Sequence, residues 1–176
     1  GWLRFTPEGG LEPLLSAGDE IALGGRRRRL GPLEPLGDDE QGRYNLVASS
    51  LVSWQDGTAS RVFCKRFLHP ESAWVEAFAH TLLGELGIET YPVAVLDRAE
   101  PIFVSPEAEG RKLGETLGEV EVTPALAREI GRHICSGYLL PNADLRPRNA
   151  FLTGSEEAPR LVMVDHEHCL LNLALD

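Results

Sequence analysis

The sequence is poor in cysteine. Its three cysteines, Cys64, Cys135 and Cys169, lie far apart, and none of them forms a C-x-x-C pair. The absence of such a pair argues against a zinc site or a dithiol redox centre. A sparse, odd set of thiols is typical of a reducing compartment, so we expect a cytoplasmic protein. Cys64 and Cys135 lie in apolar stretches, and both are predicted to be small residues of the core.

Long apolar runs and an excess of basic charge are also lacking. No stretch approaches the roughly 20 apolar residues of a membrane-spanning helix, and no signal peptide is recognisable, so we expect no membrane span. The 17 Lys and Arg are outnumbered by 27 Asp and Glu, and the net charge is −10. Because the acidic residues are spread along the chain, we expect no nucleic-acid partner. The basic run Arg26 to Arg29 is predicted to be a solvated strand or hairpin arm, with a docking site for an anionic partner as the alternative.

Strand-like segments dominate the first part of the chain. Strands are expected at residues 2–5, 20–23, 26–30, 46–54, 61–67, 91–96 and 101–104. Pro13, Pro32 and Pro35 are expected to interrupt the first segments. Asp56-Gly57, between two of the longer strands, is a strong hairpin signal.

Two segments have helical spacing. Residues 72–86 carry apolar residues at helical spacing, and Gly87 is a good stop signal. These apolar residues are Trp74, Val75, Phe78, Ala79, Leu82, Leu83 and Leu86. Residues 124–138 begin at a proline and carry an apolar stripe of Ala127, Ile130, Ile134 and Tyr138. Between these helices, residues 105–114 are polar and contain glycine, which is typical of a link. The pattern as a whole predicts an α+β protein.

The most informative segment follows the second helix. An apolar run ends at Leu140, and a polar loop then carries Asp144 and Asn149. A strand-like run resumes at once, and a second apolar strand delivers Asp165. Phosphoryl transfer needs this layout, because one carboxylate orients the hydroxyl nucleophile while an amide oxygen and a second carboxylate hold Mg²⁺ on the phosphates.

These residues resemble the protein-kinase-like superfamily. The run Asp144-Leu145-Arg146-Pro147-Arg148-Asn149 resembles the D-L-K-P-E-N loop of protein kinases and the D-L-H-P-G-N loop of aminoglycoside and choline kinases. Asn142 is similar to the first residue of the N-x-D loops in HipA-type and phosphatidylinositol-4-kinase-like enzymes. Asp165-His166-Glu167 resembles the D-x-E of small-molecule kinases. Residues 61–67, with Lys65, resemble the third strand, and residues 72–86, with Glu76, resemble helix C. The resemblance spans residues 41–170.

The resemblance implies a two-lobed kinase-like fold. A β-rich lobe, residues 1–104, would carry a possible extra β extension at residues 1–37. A reduced, mainly helical lobe, residues 105–176, would hold the catalytic loop, and ATP would lie in the cleft. The implied activity is an ATP- and Mg²⁺-dependent transfer of the γ-phosphate to a hydroxyl acceptor. That acceptor is left open among small molecules, lipids and proteins.

The resemblance also implies roles for individual residues. Asp144 would be the catalytic carboxylate and Arg146 would steady the transferred phosphoryl group, while a turn aspartate and an exposed loop arginine are the alternatives. Asn149 and Asp165 would bind Mg²⁺. The residues expected to contact the nucleotide are Lys65, Glu76, Gly42, Val104 and Ser105.

Each of the nucleotide contacts has its own basis. Lys65 would contact the phosphates and Glu76 would hold it there, although Glu71 and Glu85 compete for that place. A lysine that extends from an edge strand into solvent is the alternative. Gly42 lies in residues 38–45, the candidate phosphate-covering turn. Val104 and Ser105 lie where the link between lobes would bind adenine through its backbone.

Several motifs of the superfamily are absent. The sequence has no G-x-G-x-x-G and no A-P-E segment. A catalytically impaired pseudokinase that binds nucleotide for regulation is therefore the alternative function, and a non-catalytic interaction domain is a third hypothesis. His166 and His168 alternate with carboxylates, but no third histidine is spaced to complete a transition-metal site, so none is expected.

Overall fold

The computed structural model describes residues 2–5, 8, 10–36, 45–53, 58–116, 118–142, 145–166 and 169. Within this part of the chain, the protein is an α+β structure with eleven strands, three α-helices and a 3-10 turn. The α+β class predicted from the sequence is confirmed. None of the helices in the described ranges is long and apolar enough to cross a membrane.

The elements fall into two compact units, residues 1–74 with 92–107 and residues 75–91 with 108–176. The strands are β1 (Leu3–Phe5), β2 (Leu11–Pro13), β3 (Glu20–Leu23), β4 (Arg26–Pro35), β5 (Leu46–Ser53), β6 (Ala59–Arg66), β7 (Ala94–Leu96), β8 (Ile102–Pro106), β9 (Arg111–Lys112), β10 (Ala150–Gly154) and β11 (Pro159–Met163). The helices are α1 (Ser72–Glu85), α2 (Leu113–Thr116) and α3 (Pro124–Leu139), and the 3-10 turn covers Pro147–Asn149. The lobe boundary predicted after residue 104 stays a prediction.

The first unit contains a six-stranded antiparallel sheet with the order β3-β4-β5-β6-β8-β7. Its edge strands β3 and β7 lie beside each other, so the sheet is nearly closed into a barrel. Inward-facing residues alternate with outward-facing ones, as period 2 requires, and the interior includes Ile21, Val52, Val62, Ile102 and Val104. Each such side chain stabilises the fold by roughly 1.5–3 kcal/mol on burial.

The β3–β4 hairpin confirms that Arg26 to Arg29 lie on a hairpin arm, but the expectation that all four are solvated was wrong, since Arg28 is buried. Its two-residue turn is Gly24-Gly25, and both glycines have positive φ, 58° and 72°. A hairpin turn of this kind favours glycine because side chains rarely adopt positive φ. The predicted end of this strand at residue 30 was wrong, since β4 continues to Pro35. The register shifts between Leu30 and Leu33, and a strand tolerates a proline such as Pro32 at an irregularity of this kind.

Most other strands lie close to their predicted positions. β5 and β6 are the two longer strands, and they pair in full antiparallel register from Leu46↔Arg66 to Ser53↔Ala59. The Asp56-Gly57 turn between them falls outside the described residues. The expected link at 105–114 is shorter than predicted, because β8 continues through Pro106 and β9 occupies Arg111–Lys112.

The second unit contains the three-stranded sheet β11-β10-β9, with α3 packed against β11. Helix α3 begins where Pro124 predicted, and Thr123 caps it by accepting the Leu126 N–H at 3.2 Å. The core of this unit is formed by Leu113, Leu126, Ala150, Leu161 and Met163.

The predicted apolar stripe of α3 was confirmed at Ile130, which packs against the core of the second unit, and was wrong at its other three positions. Ala127, Ile134 and Tyr138 are exposed, Tyr138 to 82%. The buried face instead carries Leu126, His133 and Ser136. A pattern that counts only apolar residues misses this face, because two of its buried residues are polar. Cys135 lies on the exposed side of the same helix, so its predicted place in the core was also wrong.

Helix α1 ends one residue before its predicted end, and its predicted apolar face is confirmed in part, since Ala79 and Leu83 are almost fully buried. Trp74 and Phe78 are each half exposed, whereas Glu76 and His80 are almost fully buried. The end of the helix confirms the stop signal, since Gly87 has a φ of 72° and its N–H donates to the Gly84 carbonyl.

Candidate functional site

The β10–β11 hairpin brings the two predicted magnesium ligands to one end. In the register of this hairpin Ala150 lies opposite Met163. Beyond that pair, the Val164 N–H donates to the Asn149 carbonyl at 2.9 Å. Asn149 therefore ends one arm of the hairpin, and Asp165 follows directly after the other arm. Asn149 and Asp165 are 16 positions apart in the sequence, yet they lie at the same end of this hairpin in the second unit.

Asp165 has an unusual backbone conformation. Its φ is 63°, and no other residue with a side chain has a positive φ among the residues that the structure describes. Aspartate enters this left-handed region more readily than most residues, but the conformation still carries a cost. Backbone strain of this type clusters at binding and catalytic sites, where the surrounding structure holds it in place.

The 3-10 turn fixes the end of the loop that leads to Asn149. The Asn149 N–H donates to the Arg146 carbonyl at 2.9 Å, and Asn149 itself is 5% exposed. Arg146 is exposed at the start of this turn. Gly114 of α2 approaches the turn closely, since a Cβ at that position would lie 3.3 Å from the Arg148 nitrogen. The predicted catalytic residue Asp144 falls outside the described residues.

Three buried polar residues, Glu76, His80 and His166, lie beside this end of the hairpin. Neither His80 nor His166 was among the site residues predicted from the sequence. Glu76 Oε1 lies 3.8 Å from His80 Nε2, and Glu76 and His80 are 1% and 2% exposed. The rings of His80 and His166 meet edge to face, with centroids 4.8 Å apart. The signals were present in the sequence, because Glu76 and His80 are one helical turn apart and His166 follows Asp165. Only the tertiary structure shows that all three are buried.

Burial sets the protonation of His166. Removal from solvent, helped by the neighbouring His80, lowers the pKa of His166 from 6.5 to about 4, although Glu76 and Asp165 act in the opposite direction. His166 is therefore neutral near neutral pH. A neutral imidazole carries one donor and one acceptor, which matters for its contacts.

Burial also distinguishes the acidic residues of α1. Glu71, just before the helix, and Glu85, at its end, are exposed, whereas Glu76 is buried. A buried carboxylate requires polar partners, and this need distinguishes Glu76 from Glu71 and Glu85. Its pairing with Lys65 stays a prediction.

In the first unit, Lys65 lies on β6 beside β8. Lys65 pairs in register with Phe103, and its Nζ lies 5.1 Å from the centre of the Phe67 ring. At this distance a cation is attracted to an aromatic ring. Val104 of β8 is fully buried and lies between Cys64 of β6 and Ala94 of β7. The next residue, Ser105, pairs with Phe63 of β6 and lies beyond the paired part of β7.

The nucleotide contacts of these residues stay predictions, and Gly42 lies outside the described residues. The donor set at the hairpin end has the chemistry that Mg²⁺ prefers. Asn149 offers an amide oxygen and Asp165 a carboxylate, and Mg²⁺ is usually held by one or two protein oxygens together with phosphates and water. Within the described ranges, no group of three or more His, Cys, Asp and Glu side chains could hold a metal ion.

Comparison with known proteins gave no match, either to a protein-family model or to a curated protein.

Proposed function

We propose that the protein is an ATP- and Mg²⁺-dependent phosphotransferase of kinase-like fold. One observation carries the proposal. Asn149 and Asp165 lie at the same end of the β10–β11 hairpin, where Asp165 has a left-handed backbone and Asn149 is buried. Two hard-oxygen donors on one rigid hairpin suit a divalent cation bound to phosphates.

Asn149 and Asp165 would hold the cation through their side-chain oxygens. When bound, Mg²⁺ would neutralise charge on the nucleotide phosphates. The hairpin hydrogen bond between Val164 and Asn149 keeps the two chain ends together, so little order has to be gained on binding.

The chemistry itself belongs to the loop before Asn149. Asp144 would accept the proton of the acceptor hydroxyl as that oxygen forms its bond to phosphorus, and ADP would leave with the bridging oxygen. Arg146, exposed before the 3-10 turn, would donate to the transferred phosphoryl group, a task that suits its planar set of N–H donors. The roles of both residues rest on the resemblance.

In the first unit, Lys65 would contact the phosphates as a cation. It is half-buried near the end of β6, and its Nζ lies 5.1 Å from the centre of the Phe67 ring. Glu76 would hold it there, and the backbone at Val104 and Ser105 would bind the adenine. The acceptor would be a hydroxyl of a small molecule, a lipid or a protein.

A calorimetric titration tests the metal site. Wild type and Asp165→Asn are titrated with ATP in Mg²⁺ and in EDTA. Asparagine keeps the size of the side chain but removes its charge. We expect affinity in Mg²⁺ to fall by about tenfold or more in the variant, the scale of one lost charge-assisted contact. Affinity in EDTA should be unchanged. Asp97→Asn, at an exposed aspartate, is the matched control and should bind as wild type.

Transfer of labelled γ-phosphate then separates an enzyme from a binding module. We expect transfer by wild type and a decrease on the order of 10²-fold in Asp144→Asn, the usual scale for an acid–base group. Nucleotide binding without transfer or hydrolysis in wild type would support the pseudokinase alternative. Absence of any nucleotide binding would refute both.

A further inference from the structure

His166 joins two segments of the candidate site. Its ring is 3% exposed. Its Nε2 donates to the Met163 carbonyl at 3.2 Å, and the side-chain amide of Asn142 donates to its Nδ1 at 3.4 Å. One donated and one accepted hydrogen bond define the neutral imidazole with its proton on Nε2. Both ring nitrogens are therefore used, one on β11 and one on the loop.

Asn142 is also held through its backbone. Its N–H donates to the Gly137 carbonyl at 3.0 Å, near the end of α3. It forms an isolated antiparallel bridge with Cys169, whose own N–H donates to the His166 carbonyl at 2.9 Å. His166 and Cys169 thus both contact Asn142, His166 through the side chains and Cys169 through the backbone.

The two ends of the 142–149 segment therefore contact the same part of the chain. Asn142 is held by His166 and Cys169, and Asn149 accepts the Val164 N–H. Residues 142 and 149 are thus each held by residues that follow β11, namely His166 and Cys169 for Asn142 and Val164 for Asn149. Asp144 lies in sequence between these two ends.

Helix α1 also packs against the His166 ring. His80 of α1 meets the His166 ring edge to face, and Glu76 lies 3.8 Å from His80. Packing of this kind limits rotation of the His166 ring, so the direction of its Nδ1 lone pair is set by the fold.

We propose that His166 is the positioning residue of the site, and that it fixes Asn142 and so the start of the loop that carries Asp144. This inference rests on the proposed function, because positioning of Asp144 matters only if phosphoryl transfer occurs there. A displacement of about 1 Å at a reacting group can cost on the order of 10²-fold in rate.

His133 of α3 provides a matched control because it, too, is a buried histidine that contacts a carbonyl of β11. It is 4% exposed, and its Nε2 contacts the Leu161 carbonyl at 2.7 Å, two residues before Met163. Burial lowers its pKa as it does for His166. Its Nδ1, however, has no hydrogen-bond partner in the described part of the chain. His133 thus ties α3 to β11 through this contact.

Three variants separate the two contacts of His166. His166→Gln places an amide nitrogen where the ring carries Nε2 and offers no acceptor at the position of Nδ1. Asn142→Ala removes the side-chain amide that donates to His166 Nδ1, and it tests the same hydrogen bond if His166→Gln does not fold. His133→Gln is the control for loss of a buried histidine.

Amide hydrogen exchange at residues 142 and 149 gives a readout that needs no activity. We expect protection at residue 142 to fall by about tenfold in His166→Gln and Asn142→Ala, the scale of one buried hydrogen bond. Protection at Asn149, which is held by the hairpin, should remain. In the transfer assay, kcat should fall by about 10²-fold while KM for ATP changes little, since neither His166 nor Asn142 is proposed to contact ATP or Mg²⁺. His133→Gln should change neither the amide protection of residue 142 nor kcat.

The outcomes distinguish this inference from the proposed function. If the amide of residue 142 keeps its protection in both His166→Gln and Asn142→Ala, the role of His166 is overturned, whatever the activity. Reduced protection without transfer by wild type overturns the proposed function and leaves His166 as the residue that fixes Asn142. Ring ¹⁵N shifts of wild type add an independent check, because a proton on Nδ1 of His166 would overturn the geometry.

Discussion

The left-handed backbone of Asp165 can be measured as a free energy of unfolding. At a φ of 63° a residue with a Cβ is strained, by about 1–2 kcal/mol, whereas glycine is not. Asp165→Ala and Asp165→Gly both remove the carboxylate and every contact it makes. The difference between them therefore reports the backbone alone.

The expected difference follows from two opposing effects. Glycine relieves about 1–2 kcal/mol of strain, but its greater freedom in the unfolded chain costs about 0.5–1 kcal/mol. Asp165→Gly should therefore be more stable than Asp165→Ala by about 1 kcal/mol. For a chain of this size, that corresponds to roughly 2–4 °C in Tm.

Urea unfolding of both variants is the assay, with the two free energies compared at equal m-values. The control pair is Thr81→Ala and Thr81→Gly, at an exposed position inside α1. There glycine should be the less stable variant, by about 1 kcal/mol, because a helix interior disfavours it. A Gly variant at position 165 that is no more stable than the Ala variant would show that the strained backbone is absent. Both Asp165 variants should lose the Mg²⁺-dependent part of ATP binding.

Three further predictions concern stability and exposure. Because the pKa of His166 is lowered to about 4, the folded form resists its protonation, so stability present above pH 6.5 should be lost between pH 6.5 and 4. The loss should reach about 3 kcal/mol, and the pH dependence of urea unfolding should be shallower by that amount in His166→Gln. Gly110→Ala should destabilise by about 2–4 kcal/mol in thermal or urea unfolding, because the φ of 100° disfavours a side chain and a Cβ would overlap the Leu152 carbonyl oxygen. Gly131→Ala, with open space around it in α3, should instead stabilise by about 1 kcal/mol. A thiol reagent should modify Cys135 rapidly in the folded protein and spare the two buried cysteines, and Cys135→Ser should abolish the rapid phase.

Local sequence rules located most of the strands and both long helices. The alternation in residues 61–67 placed β6 nearly in full, because one face of that strand packs into the interior. Pro124 and Gly87 marked a helix start and a helix end, since each residue acts on the backbone of its own turn. The linear motif also named Asn149 and Asp165, which the structure brings to one hairpin end.

The same rules failed where burial depends on distant partners. The stripe of Ile134 and Tyr138 on α3 has helical spacing, yet those residues are exposed while His133 faces the core. A histidine can be buried there because the Leu161 carbonyl, on a strand much later in the chain, accepts its N–H. Composition alone cannot reveal such a partner.

Tertiary structure alone decided how the candidate site is held together. From the sequence, Asp165 and Asn149 could be proposed as ligands because carboxylate and amide oxygens suit Mg²⁺. The strain at Asp165 and the contacts of His166 with Asn142 and His80 depend on where β11 ends relative to α1 and the loop. Those contacts join residues distant in sequence, so no local pattern encodes them. The types of residue set which chemistry is available, and the packing of the second unit sets which of those residues meet.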